Sequence, residues 1–292
     1  MQNKKTPETQ SSWSRFLQRI PVPIKAVLIG ITVYAIGSYS SLVAVSVLPF
    51  PFSLILLGLM LFLYLGYFSG RFVKKGPLSV SFRIENFRSI RLSKGVWLWG
   101  VLAALLFVVV QQSMFVVTFR IFEYKPEVML TFQSQIRDLP RELWWFYAIV
   151  SALIAGISEE VGFRGYMQVP MEKKYKPWIA NTIVSVVFLL FHLNQGWAEP
   201  SMYGILFLSS ILIGMLVMAS NSLIPGIIAH FAVDIFNFSY WWSNLAGEFK
   251  YRPIAETGID AHFLIWTGVF ISSLVLMLLV IGKTKQECLR SA

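Results

Sequence analysis

Cysteine and charge are both scarce in this sequence. A single cysteine, Cys288, stands among 292 residues, which excludes an internal disulfide and any metal cluster built on thiolates. Charged residues make up only 14% of the chain against 56% hydrophobic ones, and the mean hydropathy is +0.63. That is more apolar surface than a soluble core of this size can bury. No internal repeat is visible, which speaks against a transporter built from two related halves.

What the chain has in abundance is long apolar runs. Crossing roughly 30 Å of hydrocarbon takes about 20 apolar residues, and such runs fall at about 22–47, 50–70, 96–119, 143–170, 177–197, 202–220, 222–242 and 262–282. The expected fold is therefore all-α: a polytopic membrane protein of about eight transmembrane helices, its active site within the helix bundle. Residues 1–20 read as a cytoplasmic tail and 21–292 as one eight-helix membrane domain. In the tail, Trp13, Phe16, Leu17 and Ile20 alternate with Arg15 and Arg19, which suits either a helix on an anionic membrane surface or a disordered segment. The first run is too long for a signal-peptide core and lacks a small-residue cleavage pattern.

Lysine and arginine divide unevenly between the loops. One side collects Lys4, Lys5, Arg15 and Arg19, the cluster from Arg71 to Lys94, Lys173, Lys174, Lys176, and then Lys283, Lys285 and Arg290; the other has only Arg120, Lys125, Arg137, Arg141, Lys250 and Arg252. By the positive-inside rule both termini are cytoplasmic, as expected of an integral protein of a bacterial or archaeal cytoplasmic membrane. The formal charge of +10 then reflects topology and the lipid bilayer, and no nucleic-acid partner is called for. The oligomeric state is not legible. Cys288 is expected in a cytoplasmic tail.

Against this background the stretch "GISEEVGFRG", Gly156–Gly165, is anomalous. Each ionised side chain at a helix centre costs about 2.5–3.5 kcal/mol on insertion scales. Glu160 and Arg164, four apart, share a helical face and can pair, whereas Glu159 points about 100° away and has no partner in its own helix. Two of the three histidines also lie in apolar runs: "FLLFH" puts Phe188 four before His192, and "HFAVD" puts His230 four before Asp234. Asn237 shares the face of His230, and Asn181 nearly that of His192. These two, with Gln111 and Gln112, read as interhelical hydrogen-bonding residues. Pro170 argues for a kink after the acidic pair.

A glutamate and two histidines converging in a dry pocket can activate water: the carboxylate takes a proton, a histidine holds or shares it, and nearby donors stabilise an oxyanion. A zinc motif of the H-E-x-x-H kind is absent, since Leu193 follows His192 and Phe231 follows His230. Asp234 is the single aspartate in a span, too few for an aspartyl dyad. "GISE" does not complete a rhomboid-like Gly-x-Ser-Gly.

The combination "EEVGFR", "FLLFH" and "HFAVD" resembles the E-E-x-x-x-R, F-x-x-x-H and H-x-x-x-(N/D) motifs of the CAAX protease and bacteriocin-processing (CPBP, or Abi) family of intramembrane proteases, in the family's order and over about residues 140–240. The resemblance implies that Glu159 activates water with His192, that His230 and Asp234 face the scissile carbonyl, and that Glu160 and Arg164 support the site. It also implies a membrane-associated protein or peptide substrate. The departure is Asp234, where prenyl-processing members carry Asn: an ionised Asp cannot donate to an oxyanion, so it must be protonated, orient His230, or leave donation to Asn237. Glu159, His192 and His230 could hold zinc with an open fourth position, but the expectation is metal-free hydrolysis. The rival reading is a non-enzymatic carrier or regulatory binding protein that uses the same ionisable groups as a relay.

Overall fold

The computed structural model describes residues 20–68, 81, 84, 88, 91–193 and 199–291. The tail and most of the basic cluster between Arg71 and Lys94 lie outside the described residues. Every regular element among the described residues is helical. In chain order they are α1 (Val22–Val47), α2 (Phe52–Phe68), α3 (Lys94–Ile121), two short helices α4 (Pro126–Met129) and α5 (Thr131–Ile136), α6 (Arg141–Glu172), α7 (Pro177–His192), α8 (Pro200–Ser220), α9 (Leu223–Trp241), a turn α10 (Ile254–Thr257), and α11 (Ala261–Ser291).

Each of the eight apolar runs carries a helix. Six of them, α1, α3, α6, α8, α9 and α11, are long and apolar enough to cross a membrane, while α2 and α7 are shorter. The difference matters most at α7. The apolar run suggested a span to about residue 197, but the helix ends at His192 after 16 residues. At 1.5 Å per residue it is about 24 Å long, less than the hydrocarbon thickness. A helix that stops short places its last side chain inside the bundle.

Local chemistry sets the boundaries. Proline occupies the first turn of α7 and of α8, where a missing N–H costs nothing. The Ser93 side chain accepts from Val96 N–H at the start of α3, and Ser222 from Ile224 N–H at the start of α9. Asn221 ends α8 in the left-handed conformation at φ 49°, which asparagine tolerates. Cys288 does not lie in a free tail: α11 runs on to Ser291, and the Cys288 thiol meets the Ser220 carbonyl at 3.5 Å.

Close packing joins the helices. α3 pairs lengthwise with α11, α9 packs on α3 and α6, and α1 crosses the second half of α6. At that crossing a Cβ added to Gly30 would lie 2.8 Å from the Gly162 carbonyl oxygen, and one added to Gly162 would lie 2.8 Å from that of Gly30. Only glycine lets two backbones approach so closely.

α6 continues through Pro170 to Glu172. Its α-helical turns give way at Glu160–Gln168 to a π-helical stretch, followed by one α-helical turn through Pro170.

At the end of the bundle away from the basic loops, Arg120 is fully buried. It donates to both Asp260 carboxylate oxygens at 3.0 and 2.9 Å, and to Thr257 Oγ1 at 2.8 Å. The Arg120 hydrogen bonds, then the Phe263 N–H, lower the Asp260 carboxyl from 3.8 to about 2. Because the folded value is depressed, this clasp contributes its stability above about pH 4 and loses it as pH falls toward about 2. Thermal unfolding of the detergent-purified protein across that window should show an acid-dependent fall in midpoint that Asp260→Asn removes, at a lower midpoint at neutral pH.

Candidate active site

The motif residues come from three helices, Glu159, Glu160 and Arg164 from α6, Phe188 and His192 from α7, and His230 and Asp234 from α9. Among the described residues, π-helical segments occur at Ala35–Tyr39 in α1, Glu160–Gln168 in α6 and Asn237–Trp241 in α9. Each carries or adjoins polar residues of the same cluster: Ser38, the pair Glu159 and Glu160 with Arg164, and Asn237. Such insertions rotate side chains out of simple helical register, and they recur at functional sites.

The cluster is buried. Glu160 and Arg164 are 0% exposed, and Glu159, His192, His230 and Asp234 are 5 to 6% exposed. Glu160 and Arg164 form an ion pair at 3.2 Å, as their spacing suggested. Arg164 Nη2 also donates to the carbonyl and hydroxyl oxygens of Ser210, both at 3.0 Å. Glu160 Oε1 in addition accepts from His230 Nδ1 at 2.7 Å. Glu160 is therefore the group that orients His230, a task the spacing in α9 had offered to Asp234. The Asp234 carboxylate instead lies 3.6 Å from the opposite ring nitrogen, Nε2.

Glu159 is not alone either. Ser38 Oγ donates to its Oε1 at 2.7 Å, across 121 positions of sequence. Its other oxygen, Oε2, has no hydrogen-bond donor among the described residues; it faces His230 Nε2 at 3.6 Å and His192 Nε2 at 3.8 Å. His192 turns its Nδ1 to the Phe188 carbonyl oxygen at 2.8 Å. Since a carbonyl can only accept, Nδ1 carries the proton there, and in the neutral ring Nε2 is an acceptor. His230 likewise carries a proton on Nδ1, which it donates to the Glu160 carboxylate.

The spacing in "FLLFH" now has a physical meaning. The Phe188 carbonyl fixes the His192 tautomer, while its ring packs 4.2 Å from the His192 ring and 5.2 Å from the Arg164 guanidinium. Phe188 thus shields the ion pair and holds the imidazole flat.

A second chain of hydrogen bonds reaches Asp234. The Trp241 indole, which can only donate, gives its Nε1–H to Gln112 Oε1 at 2.6 Å. That assigns Gln112 Nε2 as donor to Asn237 Oδ1 at 3.4 Å, so the Asn237 amide nitrogen turns the other way, toward the Asp234 carboxylate. Gln112 is the interhelical residue expected. Gln111 and Asn181 are as well, donating to Ser209 Oγ at 3.4 Å and the Ile211 carbonyl at 3.0 Å.

A cavity of about 360 Å³ opens beside these groups, lined among others by Ser38, Gln111, Glu159, His192, His230, Asp234 and Asn237. Sequence reasoning missed Ser38, Ser210 and Trp241. Ser38 and Ser210 sit among ordinary small and apolar residues, and no periodicity marks them. Trp241 reads as an interfacial aromatic.

The donor types suit zinc, with two imidazole nitrogens 3.8 and 3.6 Å from a carboxylate oxygen, while among the described residues no group of three or more His, Cys, Asp and Glu stands at metal-holding spacing.

Residues 141–236 match the family described as Rce1-like, type II CAAX prenyl endopeptidase. The matched third of the chain contains all three motifs, in agreement with the CPBP resemblance, and supports a CAAX-type intramembrane peptidase in general terms. No curated protein and no solved structure matches the chain.

Proposed function

We propose that this protein is an intramembrane endopeptidase in which Glu159 and His192 activate water against a peptide carbonyl. The observation that carries the reading is the convergence of one carboxylate oxygen and two imidazole nitrogens. Glu159 Oε2, without a hydrogen-bond donor among the described residues, faces the Nε2 atoms of two histidines whose Nδ1 atoms are committed elsewhere. A water molecule with two O–H bonds suits such an arrangement, and it would turn its lone pairs toward the cavity.

In the first step water oxygen bonds to the scissile carbon and gives a proton to Glu159, with His192 sharing it. Proton acceptance by a positioned side chain is worth about 10²- to 10⁴-fold. The carbonyl π electrons move to oxygen. Asn237 is the suitable donor for that oxyanion: its amide is preset by Gln112 and Trp241 and supplies the N–H that an ionised Asp234 lacks. In the second step the C–N bond breaks and the proton returns from Glu159 and His192 to the departing amine. Glu160 and Arg164 keep His230 in orientation beside the reacting groups. The substrate is a membrane-associated protein or peptide; nothing in the site requires that it be prenylated. The protein works in a cytoplasmic membrane with both termini on the cytoplasmic side.

The reading is of metal-free hydrolysis, and elemental analysis tests it. Cleavage by the purified protein should survive dialysis against a strong chelator, with far less than one zinc per chain. Stoichiometric zinc, with activity lost on its removal and restored on its return, would overturn this and make Glu159, His192 and His230 its ligands.

A further inference from the structure

The two ends of the bundle treat the catalytic cavity differently. At the end bearing the basic loops, Arg88 pairs with Glu172 and donates to Asn221 Oδ1 at 3.2 Å, tying α6 to the α8–α9 turn. Between that end and Glu159 the described residues are closely packed. α1 and α6 touch backbone to backbone at Gly30 and Gly162, and Phe163, Met167 and Met171 are all 0% exposed. Among the described residues, none of the basic loops lines the cavity.

In the other direction the cavity continues. Past the catalytic groups its wall is formed by Val45, Thr131, Phe132, Gln135, Met202 and Trp242, all near the opposite ends of their helices or in α5. α5 lies across this mouth as a strap. Gln133 N–H donates to the Trp242 carbonyl and the Gln133 side chain accepts from Asn244 N–H, both at 2.9 Å, while Phe132 stacks on Phe238.

The wall also indicates what passes. Gln111, only 7% exposed, and Gln135 each turn a buried amide oxygen without a hydrogen-bond donor among the described residues. Both line the cavity. Such acceptors suit the N–H groups of an extended peptide. Among the described residues the lining contains no Lys or Arg, so a free C-terminal carboxylate finds no cationic partner there and meets Glu159 and Asp234 instead.

We infer that the substrate is a polypeptide segment that reaches Glu159 from the membrane face opposite the basic loops, passing α5, and is held through its backbone rather than by a C-terminal carboxylate. With the basic loops cytoplasmic, that face is the outer one. The inference rests on the peptidase reading for what the cavity admits, but the access side can be measured without any activity.

The lone cysteine makes the test direct. In a Cys288→Ala background, Gln135→Cys and the near-isosteric Ser151→Cys, both on the cavity wall, are compared with Lys174→Cys at the basic end. Right-side-out and inside-out vesicles are treated with a membrane-impermeant thiol reagent. Gln135→Cys and Ser151→Cys should react in right-side-out vesicles, and Lys174→Cys only in inside-out ones. Modification should cut cleavage of a peptide mixture at least about tenfold in the two cavity variants and leave Lys174→Cys unaffected. Amidating the C-termini of the mixture should not slow cleavage. The access inference is overturned if the cavity variants react from the same side as Lys174→Cys, and the backbone-binding inference if free C-termini are preferred tenfold. Correct labelling without cleavage by the unmodified protein would refute the peptidase reading alone.

Discussion

Glu160→Gln should unfold far more readily than the native protein, and the loss should come from Arg164. Both side chains are 0% exposed, so the substitution leaves a guanidinium buried with only Ser210 and the Phe188 ring as close company. Breaking a buried pair by removing one partner costs about 3–5 kcal/mol, which corresponds to a fall of roughly 6–20 °C in unfolding midpoint for a domain of this size class. Removing both charges with Glu160→Gln and Arg164→Met should cost less than the single substitution, because no uncompensated charge remains. The amide oxygen of the Gln variant can still accept from His230 Nδ1, so the molecules that do fold should keep measurable cleavage. Thermal unfolding in detergent checks the stability; activity per folded molecule checks the second point. A Glu160→Gln protein as stable as the native one would mean that Arg164 is compensated elsewhere.

The parts of this site that could be read from the chain are those encoded within one helix. The Glu160–Arg164 pair follows from a four-residue spacing that survives the π-helical stretch. The F-x-x-x-H spacing holds because the histidine contact is to the carbonyl of residue i−4, a local relation. The interhelical roles of Gln112 and Asn181 follow from the cost of amides in an apolar span. What could not be read depends on neighbours remote in sequence. Ser38 reaches Glu159 only because α1 lies against α6, its Gly37 facing Ser158 so closely that an added Cβ would lie 2.2 Å from the Ser158 Cβ. The partner of His230 Nδ1 is Glu160 rather than Asp234 because the ring is approached from α6. The π-helical segments leave no trace in hydrophobic periodicity. The charges of "KTKQECLR" understated α11, which runs on to Ser291.

The catalytic claim rests on Glu159, and Glu159→Gln is the substitution that isolates it. The change is one atom for another. Ser38 can still donate to the amide oxygen, and Arg164 keeps Glu160, so the variant should insert and unfold like the native protein. What it loses is the proton acceptor at Oε2, between His192 and His230. With general-base catalysis worth about 10²–10⁴, cleavage should fall by on the order of 10³-fold at unchanged abundance. The direct measurement is mass-spectrometric detection of new peptide termini released by proteoliposomes carrying equal amounts of the native protein or Glu159→Gln. The account predicts new termini with the native protein and essentially none with the variant. Equal release from both would contradict it.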